Sequence, residues 1–245
     1  MNNQVAIEKM KQLRLYGMAE FHQQNLEAQQ YQDYTLDQYI AILLEQEYDY
    51  RTNKKTYNLI KQAGFSTLAN VENINYQSDR NLNRNQFERL VNLDFIIHKE
   101  NVLFTGATGT GKSYLAQALG MKACLKQFRV IHYNTSKLIE KLKLARIEGN
   151  YTKFIEKIDK CDLLILDDFG LSPIDANTRQ ALMEIVEAKY DKGSIIITSQ
   201  VPVSQWHQLI GENTIADAIL DRLVYSSHRI ELGGESMRKN RKLNQ

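Results

Sequence analysis

Cysteine and proline are both scarce in this chain of 245 residues, which contains two of each. Cys124 and Cys161 lie among apolar residues and provide neither a disulfide framework nor a zinc-ligand pattern, so we expect buried, reduced thiols. Pro173 and Pro202 both lie in the second half of the sequence. The first half contains no proline, and its amino-terminal part has few glycines, which favours helices there.

Long apolar runs and a strong excess of one charge are also missing. No apolar run reaches the ~18 residues that a membrane helix needs, and the polar residues after Met1 do not form a secretory signal. We therefore expect a cytoplasmic protein with no membrane partner. The formal net charge is +2, so a surface that binds nucleic acid would have to be a local patch.

The stretch from Gly106 to Ser113 matches the G-x-x-x-x-G-K-[ST] pattern of a phosphate-binding loop. The apolar residues 101–105 before it predict a buried strand, and residues 112–126 after it have apolar side chains at helical spacing. Glycines allow consecutive backbone N–H groups to turn toward phosphate oxygens, and a helix N-terminus adds partial positive charge. The sequence therefore predicts a nucleotide site between a strand and a helix.

ATP and Mg²⁺ are the cofactors that this loop predicts. Lys112 is expected to reach the β- and γ-phosphates, and the Ser113 hydroxyl is expected to bind Mg²⁺. The other residues expected to line the nucleotide site are Gly106, Thr108, Gly109, Thr110, Gly111 and Tyr114.

Two adjacent acids follow another apolar run, residues 163–166, which predicts the third buried strand along the chain. At the carboxyl end of a parallel strand, Asp167 and Asp168 would face the crevice where ligands bind. Asp167 fits the acid that holds Mg²⁺ beside Ser113, and Asp168 fits the acid that polarises the attacking water. The alternative is a solvated Asp-Asp turn before Phe169, which is less favoured after a phosphate loop.

Two further candidates lie later in the chain. The apolar run that begins at Ile195 ends in Thr198, Ser199 and Gln200, and a polar side chain there could lie between the γ-phosphate and the acids or simply cap the strand. Arg222 could stabilise charge on a transferred phosphate, in its own subunit or in a neighbouring one. The alternative for Arg222 is a salt bridge to a nearby aspartate.

The alternation of apolar runs predicts the fold class α/β, with a parallel five-stranded sheet covered on both faces by helices. A small all-helical interaction domain is expected at residues 1–70, a linker rich in Asn, Ser and Asp at 71–85, and the ATPase domain at 86–245. Apolar spacing from Val5 to Phe21 predicts a first helix, bent near Gly17.

Two groups of basic residues are candidates for DNA contact. A capping box formed by Thr35 and Gln38 opens the second predicted helix, which has a basic cluster near its end. Ser136 is predicted to cap a helix after the second predicted strand, residues 130–133. Basic side chains on that capped helix could neutralise phosphates without reading bases. A solvated helix face is the alternative in both places. The candidates are Arg51, Lys54 and Lys55 in the first group and Lys137, Lys141, Lys143 and Arg146 in the second.

Taken together, these motifs resemble the IstB family, the AAA+ helper ATPases of insertion-sequence transposition, which are similar to the helicase loader DnaC. The segment Leu15–Glu20 also resembles the start of IstB proteins, so the resemblance covers nearly the whole chain. The segments that carry it are Gly106–Ser113, Leu163–Asp168, Thr198–Gln200, Ala218–Leu223 and Gly234–Arg238.

The resemblance implies roles for several residues. Arg222 would be an arginine finger that reaches an adjacent subunit, and Arg238 would be a second sensor near the γ-phosphate of its own subunit. Gln200 stands where the loaders often carry Asn, so either Ser199 or Gln200 would sense phosphate, and we assign Gln200. The helical insertion between the second and third strands would line a DNA channel. A helical lid is not expected after Leu232.

The expected function is that of an ATP-hydrolysing AAA+ protein that forms a homo-oligomer on duplex DNA, shares ATP sites between subunits and assists a cognate transposase. Three alternatives stay open. The first is a DnaC-like loader whose partner is a replicative helicase. The second is a small-molecule P-loop kinase, which would need a lid and an acceptor pocket. The third is a nucleotide-gated scaffold without hydrolysis, because Asp168 stands where Glu is more usual.

Overall fold

The computed structural model describes residues 3–28, 34–77 and 79–237 of the chain. Their contacts divide the chain into two units, residues 1–58 and residues 59–245. Across the three described ranges, no helix combines the length and the apolar character that crossing a membrane requires.

The first unit is helical. The single helix predicted from Val5 to Phe21 is wrong, because the chain turns at Arg14, which has a left-handed backbone with φ of 61°. Gly17 does not bend a helix but allows two helices to touch, since a Cβ atom on it would lie 2.3 Å from the carbonyl oxygen of Gln46. The helices are α1 (Asn3–Gln12), α2 (Tyr16–Glu27) and α3 (Leu36–Ala63), whose last residues belong to the second unit.

Side-chain hydrogen bonds fix the start and the packing of α3. The predicted capping box is confirmed: the Thr35 N–H donates to Gln38 Oε1 at 3.0 Å, and the Gln38 N–H donates to Thr35 Oγ1 at 3.3 Å. The buried carboxylate of Glu47 accepts the N–H of Gly17 at 2.8 Å and the Nε–H of Arg51 at 2.7 Å. Glu47 therefore joins α2 to α3 within the first unit.

The second unit contains a sheet of five parallel strands in the order β2-β3-β4-β1-β5, which confirms the predicted fold class. The strands are β1 (Asn101–Gly106), β2 (Val130–Asn134), β3 (Leu163–Phe169), β4 (Ser194–Ser199) and β5 (Ser227–Leu232).

Helices cover both faces of this sheet. Along β1, Val102 and Phe104 pack in one core, whereas Leu103 packs in the other core on the opposite face. Because side chains alternate across a strand, each buried strand supplies both cores. The helices are α4 (Arg84–Val91), α5 (Asp94–Ile97), α6 (Lys112–Leu125), α7 (Thr135–Ile147), α8 (Tyr151–Asp159), α9 (Ala176–Lys189), α10 (Trp206–Ile210) and α11 (Asn213–Val224).

Apolar residues of the segment between Leu59 and the start of α4 pack into the second unit. Leu59, Ala63, Ala69 and Ile74 are buried in the core that contains α6, and a short 3-10 helix follows at Val71–Asn73. The expected boundaries at residues 70 and 85 stay a prediction about which parts of the chain fold independently.

Candidate active site

The phosphate loop connects β1 to α6 through glycines in backbone conformations that other residues rarely adopt. Gly111 has φ of 96° and directly precedes α6. Gly106 has φ of 134°, and a Cβ atom there would lie 2.0 Å from the carbonyl oxygen of Leu232 in β5. These two positions therefore require glycine for both conformation and space.

The Lys112 side chain is buried against its own loop. Its Nζ donates to the carbonyl oxygens of Gly106 and Ala107, each at 2.7 Å. The Thr110 hydroxyl donates to the same Ala107 oxygen at 2.9 Å. The ammonium group is thus held within the loop, where the sequence predicted phosphate to bind.

Thr108 and Tyr114 were both predicted to line the nucleotide site, but their side chains have different surroundings. Thr108 is exposed. The Tyr114 hydroxyl donates to the carbonyl oxygen of Asn70 at 3.2 Å and accepts the Asn70 N–H at 3.3 Å. The Tyr114 side chain therefore anchors α6 to the segment before α4.

Asp167 lies at the end of β3, beside the phosphate loop, and is 7% exposed. The Ser113 hydroxyl donates to its Oδ1 at 2.7 Å, and the Thr198 hydroxyl donates to the same oxygen. A hydroxyl and a carboxylate at this separation fit Mg²⁺, which prefers oxygen ligands and shares them with substrate phosphates. In the described part of the chain no three His, Cys, Asp or Glu side chains form a metal cluster, so phosphates and water would complete the coordination.

His132 is a further neighbour of Asp167. Its Nδ1 lies 3.1 Å from the carbonyl oxygen of Gly64, which can only accept, so Nδ1 carries a proton. Its Nε2 lies 3.7 Å from Asp167 Oδ2, which is too long for a direct hydrogen bond. Burial raises the pKa of Asp167, but the contacts with His132, Thr198 and Ser113 outweigh it and hold the pKa below its usual value.

Asp168 has a left-handed backbone, with φ of 58°, which is uncommon for residues other than glycine. The pairing of β3 with β4 is irregular next to it. Its Oδ2 accepts the side-chain amide of Asn134 at 3.0 Å. Strained positions of this kind concentrate at functional sites because the surrounding structure has to hold them. The two predicted acids therefore point to different partners, Ser113 for Asp167 and Asn134 for Asp168.

Asn134 also begins the helix that carries the second basic group. Its Oδ1 accepts the Lys137 N–H at 3.4 Å, and α7 starts at Thr135. The predicted cap, Ser136, is wrong, because its hydroxyl is bonded to the Ser172 hydroxyl at 2.9 Å instead. Asn134, two residues before Ser136, satisfies the helix end instead.

The polar residues at the end of β4 have separate partners. The Thr198 hydroxyl contacts Asp167 and accepts the Asp168 N–H at 3.1 Å. The Ser199 hydroxyl donates to the carbonyl oxygen of Phe169 at 2.7 Å. Gln200 is exposed, and its role as a phosphate sensor stays a prediction.

Arg222 lies near the amino-terminal end of β1, opposite the end from which the phosphate loop begins. The side chain of Asn101, the first residue of β1, donates to the Arg222 carbonyl oxygen at 3.0 Å, whereas the phosphate loop follows the last residue of β1. At about 3.3 Å per residue, the length of β1 separates them by roughly 17 Å. The guanidinium lies 5.6 Å from the Tyr190 ring centre and 3.7 Å from Glu187, beside a cavity of about 430 Å³.

The basic side chains of α7 mostly have neighbours. Lys141 lies 5.0 Å from the Tyr133 ring centre, Lys143 pairs with Asp175 at 3.2 Å, and Arg146 pairs with Glu184 at 3.3 Å. Lys137 is exposed. Exposed ion pairs of this kind are worth little, so they leave these cations available to another anion.

The first basic group lies in the first unit. Arg51 pairs with Glu47 at 2.7 Å, Lys54 lies 5.5 Å from the Tyr16 ring centre, and Lys55 is exposed. Arg238 lies outside the described residues.

The sequence did not single out Asn134 as a partner of Asp168 or His132 as a neighbour of Asp167. It named Thr198 only as one of three polar residues at the end of a strand, and we assigned Gln200. Thr198 and Asn134 each lie at the carboxyl end of a parallel strand, where ligand-binding side chains gather, so their positions carried a signal. His132 points along β2 toward Gly64, a contact between residues 68 positions apart, and no local pattern indicates it.

A parallel sheet with a phosphate loop after β1 and an acid pair after β3 defines a P-loop ATPase of the AAA+ class. Solved structures support this fold. The DnaC helicase loader covers 67% of this chain and 96% of its own, with a TM-score of 0.55 and 21% identity. AMPPCP-bound DnaA from Aquifex aeolicus covers 74% of this chain and 56% of its own, with a TM-score of 0.57 and 19% identity.

The sequence comparisons define the family. The model of the IstB-like ATP binding proteins matches residues 8–245, so this chain belongs to that family. An insertion sequence ATP-binding protein of Sinorhizobium fredii is 39% identical over 236 residues, which are 96% of both chains. The insertion sequence IS21 ATP-binding protein of Pseudomonas aeruginosa is 30% identical over 205 residues, which are 84% of this chain and 77% of the relative.

Proposed function

We propose that this ATPase hydrolyses ATP with Mg²⁺ as a homo-oligomer on duplex DNA and assists the transposase of an insertion sequence. The names of the relatives associate the family with insertion sequences. The observation that carries the oligomeric part of the proposal is the separation of Arg222 from the phosphate loop across the length of β1.

The residues at the loop have distinct tasks in this proposal. Lys112 neutralises charge on the β- and γ-phosphates, and Ser113 with Asp167 holds Mg²⁺, which would withdraw charge from the phosphate oxygens. Asp168 orients the attacking water, and the amide of Asn134 fixes the position of its carboxylate. Thr198 and His132 keep Asp167 ionised, because their contacts lower its pKa.

Arg222 acts on a neighbouring subunit in this proposal. Its own phosphate loop is roughly 17 Å away along β1, which is further than an arginine side chain extends. The guanidinium is held by the Ala218 carbonyl oxygen at 2.9 Å and by Glu187 at 3.7 Å, and it is still partly exposed. A second copy could therefore bring its triphosphate to the amino-terminal end of β1, where Arg222 lies.

The basic residues of α7 and α8 support the DNA part. Seven basic and four acidic residues lie between positions 136 and 160. Asn134 contacts both Asp168 and the start of α7. Binding of DNA phosphates to this helix would therefore take place close to the catalytic acid. Contacts to phosphate give affinity without sequence preference.

A second candidate function is a helicase loader, because the DnaC helicase loader has this fold. The two candidates differ in the protein that binds. Immobilised chain with ATP should retain its cognate transposase and should not retain a replicative helicase. Retention of the helicase alone would favour the loader.

ATP turnover measured with and without duplex DNA, over a range of protein concentrations, tests the proposal as a whole. We expect turnover per subunit to rise with protein concentration and to rise further with DNA. Turnover that is independent of both would contradict oligomerisation on DNA. Turnover that requires a small phosphate acceptor would instead indicate a kinase.

A further inference from the structure

Arg80 is a buried arginine outside the family motifs, in the segment expected from the sequence to be a linker. Its side chain is 4% exposed. Nη1 donates to the Thr110 carbonyl oxygen at 3.2 Å, and Nη2 donates to the Asn75 carbonyl oxygen at 3.0 Å. Its Nε has no hydrogen-bond partner in the described structure.

The guanidinium lies against the outer side of the phosphate loop. A Cβ atom on Gly111 would lie 2.6 Å from Arg80 Nη1, so the absence of a side chain at Gly111 makes room for Arg80. The carbonyl of Thr110 and the N–H of Gly111 belong to one planar, trans peptide and point in opposite directions. Holding the carbonyl outward therefore holds the Gly111 N–H toward the inside of the loop, where phosphate is expected.

The charge of Arg80 is also informative. Within the described ranges its guanidinium forms no ion pair with a carboxylate, and its two hydrogen-bond partners are carbonyls. Burial lowers the pKa of Arg80, but a guanidinium remains charged in proteins. A buried cation without an anion is costly, and a triphosphate on the other side of the Thr110–Gly111 peptide would compensate it.

The backbone around Arg80 is fixed to the segment after β5. The Gly233 N–H donates to the Arg80 carbonyl oxygen at 3.0 Å, and a Cβ atom on Gly234 would lie 1.9 Å from the Asp79 carbonyl oxygen. The side-chain amide of Asn81 donates to the Glu231 carbonyl oxygen at 3.2 Å. Arg80 is therefore anchored at its base as well as at its tip.

We propose that Arg80 is a positioning residue of the phosphate loop: it orients the Thr110–Gly111 peptide so that its N–H faces the phosphates, and it adds positive charge behind that peptide. The proposal concerns nucleotide affinity and does not depend on DNA, the transposase or oligomerisation.

The test compares Arg80→Met with Arg80→Lys. Loss of a hydrogen bond from a charged donor should weaken ATP and ADP binding by about 10- to 100-fold, because the β-phosphate is common to both nucleotides. KM for ATP should rise similarly, with kcat at saturating ATP changed less than threefold. Arg80→Lys should lose less affinity than Arg80→Met, since it retains the charge.

Arg84→Met is the matched control in the same segment. Arg84 is exposed, 5.2 Å from the Tyr76 ring centre and 3.8 Å from Glu88, so its loss should leave nucleotide affinity unchanged. A purely structural role for Arg80 would lower the melting temperature and the active fraction without changing KM, and that result would overturn the proposal. If Arg80→Met does not fold, the KM of folded Arg80→Lys decides: a raised value supports the proposal and an unchanged value overturns it.

Discussion

The Ser113 hydroxyl lies 2.7 Å from Oδ1 of Asp167, although the two residues are 54 positions apart. This contact joins the first turn of α6 to the end of β3 and brings the phosphate loop and the acid pair together. Both side chains end in oxygen, and together they form the edge of the site where Mg²⁺ fits.

Substitutions in the ATP site should separate binding from hydrolysis. Lys112→Ala should weaken ATP binding by about 100-fold, since it removes a charged donor to phosphate. Asp168→Asn should bind ATP nearly normally but lose turnover by about 10²- to 10⁴-fold, because the amide cannot accept a proton from water. Nucleotide titration and steady-state turnover measure the two effects. Lys122→Ala, near the other end of α6, is the control, and normal hydrolysis by either site variant would refute the assignment.

Arg222→Ala should bind ATP almost as well as the unchanged protein. If Arg222 acts as proposed, the variant should turn over about 10³- to 10⁵-fold more slowly, which is the contribution of arginine fingers to related phosphate chemistry. Mixing it with Asp168→Asn protein should restore part of the activity, because one subunit then supplies the arginine and the other supplies the acid. The control variant Arg89→Ala changes an exposed arginine on α4. It should hydrolyse ATP at the normal rate without mixing. Slow turnover without rescue on mixing would mean that Arg222 acts within its own chain.

The basic face of α7 should contribute to duplex binding. Replacing Lys137, Lys141 and Lys143 together by Gln should weaken binding and reduce the slope of log affinity against log salt by about 0.9 for each lost phosphate contact. Fluorescence anisotropy with labelled duplex at several salt concentrations measures both quantities.

A matched triple variant controls for the loss of charge alone. Lys61 lies on α3, Lys122 lies on α6 and Lys126 directly follows α6. Their replacement by Gln should change the slope much less. Equal effects of the two triple variants would show that α7 contributes only through net charge.

Both cysteines should be unreactive in the folded protein. Burial raises the pKa of the Cys124 thiol to about 12 and also raises the pKa of Cys161, so at pH 8 both remain protonated, and the thiolate is the reactive form. A chromogenic disulfide reagent should therefore modify native protein slowly and denatured protein at both thiols at once. An exposed cysteine introduced as Lys126→Cys should react immediately, and equally fast reaction of a native thiol would contradict its burial.

The parts of the site that could be predicted are those with a local pattern. The phosphate loop and the acid pair each combine an apolar strand with polar residues at its end, and both apolar runs form strands of the sheet, β1 and β3. The break at Arg14 was missed because the apolar spacing continues through it, and a left-handed residue leaves no trace in that spacing.

The contacts that could not be predicted join segments far apart in sequence. Arg80 lies in a stretch rich in Asn, Ser and Asp, which is typical of a linker, yet its side chain contacts Thr110, 30 positions away. The hydrogen-bond partners of a buried polar side chain are set by the tertiary structure. The amino-acid pattern around that side chain does not identify these partners.

Arg222 and the phosphate loop lie at opposite ends of β1, and this has a geometric consequence for assembly. A subunit that gives its arginine to one neighbour and receives one from another forms a heterologous, head-to-tail interface. Such a chain of subunits has a direction, and in an open row the subunit at one end has no donor. Closing the row into a ring would complete that last site, so turnover per bound nucleotide would report whether the assembly is closed.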